Sequence, residues 1–181
     1  MTSHQWGSNP HIKTYGSGTS GIPAQWHVAT ESIITEHTPA TTSSTTYAAG
    51  DQLGVIMTMA SAVRATGAAA LLTTVSVYEQ GLQQEPIDIL FFDEAPTVDS
   101  SDNAALSLAA AELQGKLLGS VSIKASDYVT AGTGSIATIR NLGFVLVGDS
   151  NLECHALAVS KGTPSLSGTT GLTFRFHVIQ D

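Results

Sequence analysis

A chain of 181 residues is long enough for one domain with a substantial core. Only 12% of its residues are charged, about half the usual share, so hydroxyls, amides and small side chains must cover most of its surface. The formal net charge is −8, and the seven basic residues, Lys13, Arg64, Lys116, Lys124, Arg140, Lys161 and Arg175, are scattered; binding a phosphate backbone needs several cations on one face, which excludes nucleic acid as a partner.

Residues 1–46 read as an extended N-terminal arm. Glycines, three prolines (Pro10, Pro23, Pro39) and the hydroxyl-rich run from Thr38 to Thr46 leave few aliphatic side chains for a core of its own. Yet Trp6, Tyr15 and Trp26 fall within it, and large aromatics need burial somewhere. The arm either wraps its own domain or docks on a neighbouring subunit or partner, and in the second case those three aromatics are the candidate contacts. The start Met1-Thr-Ser-His-Gln5 has neither the basic nor the apolar region of an export signal. No apolar run approaches the ~18 residues of a membrane span, and the single Cys154 cannot make an intrachain disulfide. A soluble protein made in a cytoplasm, with no membrane partner, is expected.

From residue 50 on, short apolar segments recur between turn residues, the pattern of a sandwich or barrel rather than of βαβ units. Strands are predicted over 25–34, 52–59, 71–79, 87–92, 117–123, 135–140, 142–147, 153–160 and 172–179, lengths that suit an antiparallel all-β fold. Breaks fall at Gly50-Asp51, Gly67, Gly81, Asp93-Glu-Ala-Pro96, Ala131-Gly-Thr-Gly134, Gly148-Asp149 and Lys161-Gly-Thr-Pro164. One helix is predicted over 103–114, where Leu106, Ala109 and Leu113 recur at helical spacing and Ser101 or Asp102 would supply the N-cap. Strand 87–92 carries Ile87, Ile89 and Phe91 on one face and Asp88, Leu90 and Phe92 on the other, which predicts a central strand buried on both sides.

Few residues offer chemistry. Gly148-Asp-Ser150 is similar to the opening of GDSL hydrolases, but Asn151 stands where leucine is expected and Phe174 occupies the place of the acid three residues before His177, so a plain turn explains it better. Cys154 and His155 are adjacent on a predicted strand and face opposite sides, so they cannot share a metal. Among the six histidines only His4 and His11, in the arm, approach ligand spacing. Asp99 and Asp102, with Asp93 and Glu94 nearby, form the densest acidic patch, yet a calcium loop would want a glycine bend that Val98-Asp-Ser-Ser-Asp-Asn103 lacks. Helix capping and a solvated loop account for it. Gly132-Thr-Gly134 has no P-loop lysine and reads as a hairpin turn. No catalytic residue, metal ligand or cofactor site is predicted, and no enzyme is expected.

Five stretches carry a resemblance: Tyr47-Ala-Ala-Gly-Asp-Gln-Leu-Gly54, Pro86-Ile-Asp-Ile-Leu-Phe-Phe-Asp93 with Pro96, Asp102-Asn-Ala-Ala105, Leu118-Gly-Ser-Val-Ser-Ile123 and the closing 172–181. In order and spacing they resemble a family of tailed-bacteriophage virion proteins whose members carry "YAAGDVIG", "PLDLFLFD..P" and "DNAAF" at matching places. Leu106 stands where the family has Phe, and the match covers roughly residues 47–181, leaving the arm outside it. The resemblance implies a capsid decoration or cement protein on the outside of the head. The expected fold is an antiparallel β-sandwich over 47–181, jelly-roll-like, with one short helix and the arm. The expected partners are further copies of itself, as a homotrimer, and the major capsid protein. The alternative is a host-surface, glycan-binding module on a tail or head fibre.

Overall fold

Period-two burial runs through most of the long strands, as it must where one face meets a core and the other meets water. The computed structural model describes residues 12–14, 26–28, 31–39, 41, 46–166 and 171–180. Here β1 (Ile12–Thr14) and β2 (Trp26–Val28) pair with each other as a short antiparallel ladder. A five-stranded sheet contains β3 (Glu31–His37), β5 (Ala69–Glu79), β8 (Tyr128–Ala131), β9 (Gly134–Val147) and β11 (Leu172–Gln180), in the order β3-β11-β5-β9-β8. A four-stranded sheet contains β4 (Gln52–Met59), β6 (Ile87–Phe92), β7 (Leu117–Ile123) and β10 (Cys154–Ser160), in the order β4-β10-β6-β7.

The pairing is nested. β3 lies against β11, β4 against β10, β5 against β9 and β6 against β7, all antiparallel. A chain paired this way is one long hairpin, and folding it so that successive pairs fall in alternate sheets gives the eight-stranded jelly roll. β8 extends one edge through a hairpin turned by Gly132 and Thr133. The all-β jelly-roll sandwich expected from the sequence is the fold observed.

Between the sheets Leu53, Met57 and Met59 of β4, Val75 and Val77 of β5, Ile89 and Phe91 of β6, and Phe174, Phe176 and Val178 of β11 form the core. Phe91 meets Phe176 edge-on at 5.6 Å, and Phe144 of β9 lies 5.4 Å from Phe91. The same Phe144 closes the β7 side of the sandwich by lying on Gly119, where a Cβ would stand 2.8 Å from its ring.

Several expectations are corrected. The predicted strand over 25–34 is two elements, and the second, β3, runs to His37 and pairs along its length with β11. Part of the 1–46 segment is therefore sandwich. The strands predicted over 135–140 and 142–147 are one strand, β9, whose register against β5 slips between Leu72 and Thr74, opposite the left-handed Asn141 and Gly143. β6 is an interior strand, but its outward Asp88 and Leu90 are only half-buried. The strand buried at every position is its neighbour β10.

The one short helix expected is present, but its bounds and its cap differ from the prediction. The only part of 103–114 that becomes helical is its end, in α1 (Ala110–Gly115), with Ala109 at the cap and no side-chain capping bond. Asn103 takes φ +59°, and the segment 103–106 is pulled onto β4 by Asn103 N–H to Gln52 O, Gln52 N–H to Ala104 O and Leu106 N–H to Gly50 O. Long-range backbone bonds override helical periodicity here. The 93–116 excursion thus runs from the Phe92 end of β6 to the Gln52 end of β4 and back to β7.

Candidate functional site

Two of the resembling stretches meet in space. Asp102 does not cap a helix; its carboxylate accepts the Tyr47 hydroxyl at 2.9 Å and the Gly54 backbone N–H at 2.6 Å. Tyr47 is fully buried, so the phenol fixes a carboxylate at the sandwich rim, and the 47–54 and 102–105 stretches become one clasp. Asp51 tightens the first stretch by accepting the Ala48 N–H at 2.7 Å. Ser100 joins through Gln52, donating to its side-chain oxygen at 2.8 Å. Asp99 stays exposed on the excursion, so Asp99 and Asp102 play separate parts.

The surface with the most varied chemistry is the outer face of the five-stranded sheet. Cross-strand register sets its rows: Ile179, Leu71 and Val145 form an apolar one, and Glu36, Arg175, Ser76 and Thr138 a polar one. Thr173, Tyr78, Ile136 and Val129 make the row beyond. Ile34, Val129 and Val145 are exposed by 60%, 66% and 54%, unusual for large aliphatic side chains on one face. Between the polar and aromatic rows lies a cleft of about 300 Å³ lined by Glu36, Ser76, Tyr78, Ile136, Thr173 and Arg175. Arg175 Nε donates to Glu36 at 2.6 Å across its floor. Tyr78 reaches into the cleft beside Gly134, where any Cβ would come within 2.7 Å of the phenol oxygen.

Buried polar groups support the opposite edge. Glu79, 2% exposed, accepts the Gln83 N–H at 2.8 Å and the Ser135 hydroxyl at 2.9 Å, tying the β5 turn to β9. Burial, then the neighbouring Glu79 charge, pushes the Tyr128 phenol upward in pKa.

Of the sequence-predicted contact residues, Trp6 and Tyr15 lie outside the described residues, and Trp26 falls in β2, whose backbone pairs with Thr14. Gly148-Asp-Ser150 is a turn, as expected: Asp149 accepts the Asn151 N–H at 2.7 Å and the Glu153 N–H at 3.0 Å. The Glu153 N–H is the main reason the Asp149 carboxyl sits below its usual pKa. Cys154 and His155 do face opposite sides. The thiol points inward, donating to Val147 O at 3.3 Å, and burial pushes it up to about 12. The imidazole points the other way and gathers with Asp149 and Glu153, a grouping the sequence reading missed. No family model matches the chain, and none of the curated proteins does.

Proposed function

We propose that this chain is a structural component of a bacteriophage virion, a capsid decoration or cement protein that binds the outside of the head and assembles as a homotrimer. The observation that carries the reading is the Tyr47–Asp102–Gly54 clasp. Two stretches that resemble the phage family lie some fifty residues apart in sequence and bond to each other through the side chains that define them. Their meeting supports the reading, and a jelly-roll sandwich is a rigid platform for contacts between copies.

The contact face in this reading is the outer surface of the five-stranded sheet, and its occupant is a second copy of the chain. Arg140 and Arg175 outnumber Glu36 in its central rows, within a chain of net charge −8. Like copies otherwise repel, so a locally basic, partly apolar face favours contact with an acidic partner surface of the same chain. Light-scattering mass of the purified protein tests this: a trimer is expected, and Ile34→Glu with Val145→Glu should yield monomer with an unchanged melting temperature. A wild-type monomer sinks the oligomeric part. Imaging of virions carrying a label on this chain tests the placement, with density on the outer capsid expected.

One observation favours a second reading, a host-surface glycan-binding module. The Tyr78 cleft combines an aromatic ring with Glu36 and Arg175, the pairing of a stacking surface and charged hydrogen-bonding groups that sugars use. A glycan array separates the two: binding abolished by Tyr78→Ala supports the module, and a blank array supports the decoration protein.

A further inference from the structure

We propose that Asp149, Glu153 and His155 form a binding site for a first-row divalent cation, of the Zn²⁺ or Mn²⁺ type, at the corner where β9 turns into β10. The carboxylate oxygens and an imidazole nitrogen of these residues lie within 4.8 Å of one another.

The second observation is the state of the imidazole. His155 is 3% exposed, and its Nε2 has no hydrogen-bond partner among the described residues. It stands 3.6 Å from Asp149 Oδ2, within ion-pair distance but outside hydrogen-bonding range. A buried polar atom without a partner costs on the order of 1–3 kcal/mol, so a ring held in this way calls for a ligand. The other nitrogen shows how the ring is aimed. Nδ1 lies 3.2 Å from the Thr58 hydroxyl on β4. When Nδ1–H donates to that hydroxyl, Nε2 carries the free lone pair a metal needs, the outer-shell arrangement usual for metal-bound histidine.

Asp149 is aimed in the same manner. Its Oδ1 is taken by the N–H groups of Asn151 and Glu153, which leaves Oδ2, touched by the Asn151 side-chain amide at 3.5 Å, facing the imidazole. Glu153 is half-buried immediately before β10. Zinc ligands at ordinary bond lengths stand roughly 3.3 Å apart. Rotation of the long Glu153 side chain and a small movement of Asp149 close the remaining gap.

The donor set selects the metal. Two carboxylates alone would suit Ca²⁺ or Mg²⁺, but an imidazole nitrogen favours Zn²⁺ over both, while Mn²⁺ accepts the same mixed oxygen and nitrogen set, with solvent completing the shell. An ion there would join the β9–β10 turn to β4 through Thr58, bracing one corner of the sandwich.

The test uses the full chain stripped with a chelator and titrated calorimetrically with ZnCl₂, MnCl₂ and CaCl₂. One Zn²⁺ or Mn²⁺ per chain is expected, at least ~10-fold tighter than Ca²⁺, and pulsed electron paramagnetic resonance of the Mn²⁺ form should show coupling to an imidazole nitrogen. Glu153→Gln should weaken binding at least ~10-fold, as should Asp149→Asn; if Asp149→Asn does not fold, Glu153→Gln decides. His4→Gln combined with His11→Gln should leave binding unchanged. The proposal is overturned by the absence of saturable binding at one equivalent, by equal affinity in Glu153→Gln, by loss of the nitrogen coupling in the His4/His11 variant, or by Mn²⁺ bound without nitrogen coupling.

Discussion

Asp102 shows how much one side chain can organise. It serves a buried phenol and a backbone N–H at once, and hydrogen bonds to a charged acceptor contribute about 1.5–3 kcal/mol each. Asp102→Ala should therefore lower stability by about 3 kcal/mol, read as a shift of the urea midpoint at constant slope. Tyr47→Phe, which keeps the ring and removes only the donor, should lose about 1.5 kcal/mol. Equal losses in the two variants would mean that the Gly54 contact contributes nothing. Cys154 makes the opposite case, a reactive residue type rendered inert. With the thiol buried and its pKa pushed up to about 12, alkylation of the folded protein at pH 8 should run at least ~100-fold slower than that of a free thiol, and labelling in denaturant should be complete. Fast labelling under native conditions would show that the β9–β10 corner opens.

Among the elements, Gly119 of β7 is a point of close packing across the sandwich. Its φ of +149° disfavours any L side chain, and a Cβ there would meet the Phe144 ring at 2.8 Å. Gly119→Ala should cost about 2–4 kcal/mol through strain and displaced packing; thermal melting checks it, and a Phe144→Leu background should recover part of the loss. Which elements were legible in the sequence follows from range. β4, β6 and β7 were read within a residue or two because local turn residues bracket apolar runs, and their faces follow from alternation alone. The 103–114 helix was misread because its fate is decided at a distance, by β4 backbone groups and by Tyr47 drawing Asp102 away. The Asp149–Glu153–His155 grouping was hidden for a related reason. Its members straddle a turn and a strand, so no fixed spacing announces them. A turn aspartate followed by a strand histidine was the available sign. The contacts proposed for Trp6, Tyr15 and Trp26 would depend on what those side chains meet, which no local pattern encodes.

At the scale of the whole molecule, the nested pairing assigns unequal parts to the first forty residues. β3 is the outermost partner of the long hairpin, supplying seven paired positions to β11, and its His37 ring lies 5.8 Å from Phe176 in the core. Ile33 packs on the same core from this edge. β1 and β2, by contrast, pair with each other. A cut at residue 30 and a cut at residue 40 should thus behave differently, although both remove Trp6, Tyr15 and Trp26. For a chain of this size each kcal/mol shifts the melting temperature by about 2–4 °C. The 31–181 chain should melt within about 5 °C of the full protein, while the 41–181 chain, with β11 stripped to an edge and Phe176 uncovered, should fall by more than about 10 °C. Equal melting of the two would show that β3 adds nothing to the sandwich. The 31–181 chain is then the right reagent for residues 1–30: if the full chain shows the proposed trimer or capsid binding, its loss in a protein that still melts like the parent would assign those contacts to residues 1–30, and its retention would leave assembly to the sheet face.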